Sequence, residues 1–190
     1  ITEKTYGAYL GRDPKTISDQ EMQDISKEIA AEIYQSEYYI KPGIDKLPPA
    51  IQENVFDMGV NSGQKRAIKL LQKDLGVPED GVIGQSTIDA AKKAIEEGTY
   101  DASKYSEARK NYYEGLIVNN PSLEEFRKGW FARADKFAIG PPVGPQIAAV
   151  SPSEEKPFDI AGLALNFVFP EAQAAEPDTT QPVTQEPPAR

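Results

Sequence analysis

Apolar residues recur at helical spacing through the first 140 residues of the chain. In the first such stretch they follow one another at steps of three and four: Met22, Ile25, Ile29 and Ile33. This spacing places them on one face of a helix. The preceding Ser18-Asp-Gln-Glu21 is a capping box, which satisfies two amides at a helix start. We therefore predict one helix from about Asp19, interrupted by the proline-containing segment 41–49.

Proline and glycine mark the boundaries of the next three predicted helices. Pro48 and Pro49 suit the first turn of a helix over 50–61. Gly76 suits the C-terminal position of a helix over 67–75. A compact double turn over 77–84 then leads to a helix over 86–97.

Two more helices are predicted near the end of this region. Asp101 can cap the first, whose inward side would carry Tyr105, Ala108, Tyr112 and Leu116. A second capping box, Ser122-Leu-Glu-Glu125, predicts a final helix with an inward stripe of Phe126, Trp130, Ala134 and Phe137. No strand-like alternation of useful length occurs. The pattern predicts an all-α fold with short helices packed in several directions.

Composition divides the chain near Gly140. Ten of the 16 prolines lie at or after Pro141, in a segment too poor in apolar residues to offset its chain entropy. We expect a helical domain over 1–140 and a mostly disordered tail over 141–190. An apolar stretch at 158–169 is interpreted as an arm that packs on the domain or a partner, or as plain linker.

The charge and the missing residue types exclude several functions. The chain has no cysteine and no histidine, which excludes disulfides, thiolate metal sites and histidine-dependent catalysis. We expect no metal and no cofactor. The net charge of −9 argues against a nucleic-acid partner, and no apolar run reaches the ~20 residues that span a membrane. No signal-peptide pattern is visible at the start of the chain.

Several motifs together resemble one family. They are Ile1-Thr2 with Tyr9-Leu10-Gly11, Leu47-Pro48, Phe56-Asp-Met-Gly-Val-Asn-Ser-Gly63, Asp80-Gly-Val-Ile-Gly84 and Gly129-Trp-Phe-Ala-Arg133. Over about residues 1–137 the chain resembles glycoside hydrolase family 108, the phage and prophage N-acetylmuramidases, including an attached peptidoglycan-binding segment. The motif around Asp57 is the most specific, since Asp-Gly-x-x-Gly occurs in many unrelated turns.

The resemblance implies a lysozyme-like helical domain that cleaves peptidoglycan between N-acetylmuramic acid and N-acetylglucosamine. Its place of action would be the bacterial periplasm or cell wall, or a phage virion. The family's catalytic glutamate lies in a Glu-Gly-Gly-Tyr motif ahead of Gly-Ile-Thr, which here falls upstream of Ile1. We therefore expect that residue to be supplied upstream, for instance by an associated N-terminal fragment. The alternative is an inactive peptidoglycan-binding or virion structural module, held to a virion protein through its tail.

Asp57 and Asn61 lie one helical turn apart and are predicted to share a face. They are candidates for binding glycan hydroxyl or acetamido groups, and Asp57 also for orienting a water. In the other interpretation, Asp57 bonds a backbone amide and Asn61 caps the helix end. Thr2 is a second accessory catalytic candidate that would orient the water, unless it belongs to a frayed chain end.

Three tyrosines, Tyr34, Tyr38 and Tyr39, are candidates for stacking on sugar rings, because an aromatic face suits the apolar side of a pyranose. Packing against the protein interior is the other interpretation of the same residues. Trp130 is predicted to belong to the core, because it lies on one apolar stripe with Phe126 and Phe137.

Overall fold

The computed structural model of the protein describes residues 1–139. The predicted tail over 141–190 and its apolar stretch at 158–169 lie outside the described residues. Within 1–139 every regular element is a helix, and there is no strand. The all-α prediction is therefore confirmed.

The described part of the chain contains eight α-helices and four segments of 3-10 or π helix. The α-helices are α1 (Glu3–Leu10), α2 (Asp19–Gln23), α3 (Lys27–Ile33), α4 (Pro49–Ser62), α5 (Gln64–Leu75), α6 (Gln85–Glu96), α7 (Ala102–Asn119) and α8 (Arg127–Lys136). The 3-10 segments are Pro14–Thr16, Ile44–Lys46 and Pro121–Phe126. A π-helical segment, Tyr34–Ile40, continues directly from α3.

Local signals place most helix ends where they were predicted. The capping box at Ser18 is present, with the amide of Glu21 donating to Ser18 Oγ at 3.2 Å and the amide of Ser18 donating to Glu21 Oε2 at 3.0 Å. Pro49 occupies the first turn of α4. Gly76 ends α5 at φ +67°, a left-handed conformation that favours glycine.

The single helix predicted from Asp19 is wrong, because the chain divides it into α2 and α3. α2 ends at Gln23, and Ser26 then accepts a hydrogen bond from the amide of Ile29 to begin α3. In a continuous helix the amide of Ile29 would donate to a backbone carbonyl one turn earlier. Here the Ser26 hydroxyl accepts from it instead, so a new helix begins. The apolar period continued across the break, so periodicity alone did not reveal it.

The capping box predicted at Ser122 is also absent. Asn120 Oδ1 instead accepts hydrogen bonds from the amide and hydroxyl of Ser122, and a 3-10 segment follows. α8 therefore begins only at Arg127. In the predicted capping box the Ser122 amide would donate to the Glu125 side chain. Asn120, which directly precedes Pro121, accepts from that amide instead.

α4 lies at the centre of the molecule and packs against both α5 and α7, and α7 packs in turn against α8. One apolar cluster runs through these helices and includes residues from both sides of Gly63. Its fully buried members include Ile51, Val55, Phe56, Met58, Leu71 and Tyr105. Each such side chain contributes roughly 1.5–3 kcal/mol through burial, so this cluster holds the helices that carry the candidate site.

Asp101 caps α7 as predicted, by accepting from the amide of Lys104 at 2.9 Å. The inward stripe predicted for α7 is only partly right. Tyr105 is buried, but the buried face continues through Arg109, Tyr113 and Ile117 rather than Ala108, Tyr112 and Leu116. The predicted stripe contained apolar residues only, so it omitted Arg109. The charge of Arg109 can be buried because it has a carboxylate partner.

Candidate functional site

The carboxylate of Asp57 lies where α4, α7 and α8 meet. Arg109 Nη2 donates to Asp57 Oδ2 at 2.5 Å, and both side chains are completely buried. From α8, Arg133 Nε donates to Oδ2 at 3.1 Å and Nη2 to Oδ1 at 2.9 Å. The Arg133 side chain remains 26% exposed. Two guanidinium groups from different helices thus hold one carboxylate.

Asn54, one turn before Asp57 on α4, extends this network. Its Oδ1 accepts from Arg109 Nη1 at 2.6 Å. Its Nδ2 lies within hydrogen-bond distance of the Ala102 carbonyl, the Ser106 hydroxyl and the Phe137 carbonyl, at 3.0, 2.7 and 3.2 Å. The same amide therefore touches the start of α7 and the end of α8.

The electrostatics keep Arg109 cationic in this buried position. Burial is the largest single effect and disfavours its charge, but the negative charge of Asp57, together with smaller contributions from Tyr113 and Tyr105, outweighs it, and the pKa of Arg109 is raised. The Arg109 Nε has no hydrogen-bond partner within residues 1–139. An ion pair so placed stabilises the fold only while both members are present, because either one alone would be an uncompensated buried charge.

The structure places Asp57 and Asn61 at different depths. Asp57 is inaccessible to solvent, whereas Asn61, at the next turn of α4, is exposed. The contacts of Asp57 are made by arginine side chains, not by the backbone amide of the alternative interpretation. Contact of either residue with a glycan remains a prediction.

The three candidate tyrosines also separate. Tyr34 and Tyr39 are buried, and the Tyr39 hydroxyl donates to Gln52 Oε1 at 2.6 Å. Burial raises the pKa of both hydroxyls. Tyr38 is half-buried, with its ring tilted against that of Tyr34 at 5.3 Å between centroids. Tyr38 is therefore the one of these three with part of its surface available to a ligand.

Thr2 caps α1 and begins a chain of hydroxyl groups. Its Oγ1 accepts from the amide of Thr5 at 3.2 Å and lies 3.1 Å from Thr5 Oγ1. That hydroxyl is 3.3 Å from the Tyr38 hydroxyl. The preceding Ile1 is partly buried against the core. We call Thr2, Thr5 and Tyr38 the hydroxyl row.

Gln72 holds the turn over 77–84 against α5 from a position only 1% exposed. Its Nε2 contacts Asp80 Oδ1 at 2.7 Å and the Val82 carbonyl at 2.9 Å, while its Oε1 accepts from the amide of Gly81 at 2.8 Å. The hydrogen bond from Gln72, followed by that from the Val82 amide, lowers the pKa of Asp80. One buried amide thus fixes the shape of this turn.

A shallow groove of about 400 Å³ runs beside the same turn. We call it the α5 groove; it is lined by Lys65, Arg66, Lys69, Leu70, Lys73 and Glu79. This groove was not among the predicted sites, although cations at four-residue spacing in the sequence indicate one charged helix face.

Sequence reasoning also missed Asn54 and Arg109, which complete the surroundings of Asp57. Arg109 falls at helical spacing between Tyr105 and Tyr113, and a charged residue in a buried stripe indicates a buried partner.

Trp130, predicted to be core, is partly buried and stacks on Tyr113 at 5.0 Å between centroids.

Two other kinds of feature are absent from residues 1–139. No group of three or more acidic side chains in this part could hold a metal ion. None of its helices combines the length and apolar character needed to cross a bilayer.

Comparison with known proteins places a boundary at Gly63, between α4 and α5. Residues 1–63 match the family described as Glycosyl hydrolase 108, and residues 66–135 match the family described as Predicted Peptidoglycan domain. A solved structure of SagA from Brucella abortus is 33% identical, with a TM-score of 0.61; the match covers 73% of this chain and 74% of that chain. No curated protein matches significantly.

A helical fold that joins these two sequence families defines a peptidoglycan hydrolase-type module. The chain belongs to glycosyl hydrolase family 108. The family resemblance is therefore confirmed, and peptidoglycan is supported as its partner.

Proposed function

We propose that this chain is part of an N-acetylmuramidase that cleaves peptidoglycan between N-acetylmuramic acid and N-acetylglucosamine. The catalytic glutamate would be supplied by residues upstream of Ile1. The observation that supports this is the hydroxyl row, because it begins at Thr2 and ends at Tyr38 on a neighbouring segment. Since Ile1 is packed against the core, a preceding segment would enter beside these hydroxyls.

Glycoside hydrolysis needs a carboxylic acid that protonates the leaving oxygen, and a second group that assists attack from the other face of the sugar. In this proposal the upstream glutamate is the acid and the Thr2 hydroxyl orients the attacking water. Tyr38 offers its ring to the apolar side of a pyranose and its hydroxyl to a sugar oxygen. Asp57 acts indirectly, by holding Arg109 and Arg133.

The substrate sets the place of action. Because the glycan lies outside the cytoplasmic membrane, the protein would work in the periplasm or cell wall, as a phage lysin or a virion-associated lysozyme. The tail over 141–190 would then be available to a virion protein.

The test compares residues 1–190 with a chain extended by the upstream Glu-Gly-Gly-Tyr segment, in a turbidity assay on purified cell walls. We expect the extended chain to clear walls and its Glu→Gln variant to be slower by about 10²–10⁴-fold. Thr2→Val and Tyr38→Phe should reduce clearing in the extended chain. Ser103→Ala, on the exposed side of α7, is the matched loss of a hydroxyl and should leave clearing unchanged.

Two outcomes would overturn the catalytic proposal: no clearing by the extended chain, or clearing that the Glu→Gln change leaves intact. In the first case the alternative function is an inactive peptidoglycan-binding or virion structural module. The match of residues 66–135 to a peptidoglycan domain favours that second candidate. It predicts that the extended chain co-sediments with insoluble walls without clearing them.

A further inference from the structure

The α5 groove is positively charged on a protein whose net charge is −9. Its lining contains four cationic side chains and a single carboxylate, that of Glu79. Within residues 1–139, Lys65, Lys69 and Lys73 form no salt bridge. Asp80 attracts Lys69 and Asp74 attracts Lys73 electrostatically, but neither pair forms a salt bridge. All three ammonium groups can therefore still bind an anion along one side of α5.

The spacing of these lysines indicates what kind of anion would fit. Residues four apart on a helix rise by roughly 6 Å, so the three form a line of charges along α5. An extended peptide advances by roughly 3.3–3.6 Å per residue, so several carboxylates along one peptide can lie opposite such a line. Leu70 adds an apolar surface to the groove, which suits the aliphatic parts of a peptide.

The turn over 77–84 positions the first lysine of this line. A Cβ at Gly81 would lie 2.5 Å from Lys65 Cγ, and Gly81 adopts φ +78°. The absence of a side chain therefore lets Lys65 lie across the turn that Gln72 holds in place.

The groove also begins next to the hydroxyl row. Gln64, the first residue of α5, donates from Nε2 to the carbonyl of Tyr38 at 3.1 Å. A ligand that passes Tyr38 therefore meets the start of α5. In peptidoglycan, acidic peptides hang from the muramic acid residues of the glycan.

We propose that the α5 groove binds the stem peptide of peptidoglycan through its carboxylates, with Lys65, Lys69 and Lys73 as the ionic contacts. This rests on the proposed function in that the substrate is peptidoglycan, but it does not require the chain to be catalytic. The glycan itself offers fewer negative charges than the peptide, so it matches this line of charges less well.

The experiment titrates a synthetic stem tetrapeptide with free carboxylates into the full chain. Binding is measured from the changes in the NMR chemical shifts of the chain. We compare Lys65→Gln/Lys69→Gln/Lys73→Gln with a control, Lys27→Gln/Lys92→Gln/Lys128→Gln, whose lysines are exposed elsewhere. Both triple variants change the net charge from −9 to −12. We expect about ten-fold weaker binding for the groove variant only, and a similar loss when the peptide carboxylates are amidated.

A second variant keeps every charge. Gly81→Ala should displace Lys65 and weaken peptide binding by a smaller factor, with circular dichroism confirming that the helices remain. The proposal is overturned if the wild-type chain does not bind the peptide, or if both triple variants bind it equally. It is also overturned if a phosphate polymer binds the groove and the peptide does not.

A parallel co-sedimentation assay with intact cell walls separates this proposal from the proposed function. If the groove substitutions change neither wall binding nor the peptide titration, the groove proposal fails, while peptidoglycan remains the proposed substrate. Peptide binding lost in the groove variant would support the groove even if no chain clears walls.

Discussion

Arg109 and Asp57 form a completely buried ion pair, 2.5 Å between Nη2 and Oδ2, that joins α7 to α4. Arg133 brings α8 to the other oxygen of the same carboxylate. The pair connects residues on both sides of the boundary between the hydrolase and peptidoglycan-domain matches. It therefore fixes how the helices of the two regions are placed.

Asp57→Asn should destabilise the protein by about 3–5 kcal/mol, because Arg109 would keep its charge without a buried counter-ion. Urea denaturation at neutral pH measures the free energy of unfolding. Asp89→Asn, on the exposed side of α6, is the matched control and should change it by less than about 0.5 kcal/mol. Wild-type stability together with lost wall clearing, when Asp57→Asn is made in the extended chain, would instead favour an accessory catalytic role for Asp57.

Asn54→Ala should cost about 1–3 kcal/mol, since it removes one buried hydrogen-bond partner from Arg109, from the Ser106 hydroxyl and from a carbonyl at the end of each of two helices. Asn61→Ala removes the same amide from an exposed position of the same helix and should cost under about 0.5 kcal/mol. Thermal unfolding of the two variants provides the comparison. Equal destabilisation would contradict the role given to Asn54.

Gln72→Leu should release the turn over 77–84 from α5. The amide of Gly81 and the carbonyl of Val82 would lose their buried partner, at a cost of about 1–3 kcal/mol. Hydrogen exchange of the Gly81 amide should accelerate more than exchange in α4. Gln85→Ala, an exposed glutamine at the start of α6, should leave this exchange unchanged.

Glu21 should make stability depend on pH at the acid end. Hydrogen bonds from Ser18 and Arg12 lower the pKa of Glu21 from 4.5 to about 2. Because the folded pKa lies below the unfolded one, the stabilisation is complete above about pH 4.5 and is lost as the pH falls towards 2. Glu21→Gln should therefore lower the melting temperature at pH 7.

The difference between the melting temperatures of wild type and Glu21→Gln should shrink as the pH falls from 4.5 to 2. Glu96→Gln, an exposed glutamate at the end of α6, serves as the control for removing one negative charge. A difference that stays constant across this range would exclude the proposed linkage.

Much of the helical framework was predictable, because its signals are short-range. Ser18, Asp101 and Gly76 each act within a few residues, so a local pattern was enough to place the ends of their helices. The two errors at Ser26 and Asn120 were local as well. In both places a polar side chain competed for a backbone amide, and an apolar period carries no information about that competition.

The sequence alone determined the helical class, the positions of most caps and turns, and the family, since each depends on residues close together in the chain. Tertiary structure decided which candidates are accessible. Asp57 meets Arg109 and Arg133 across separations of 52 and 76 residues, so its burial could not be read from α4 alone. The same packing buried Tyr34 and left Tyr38 half-exposed, because burial depends on which other helices cover a face.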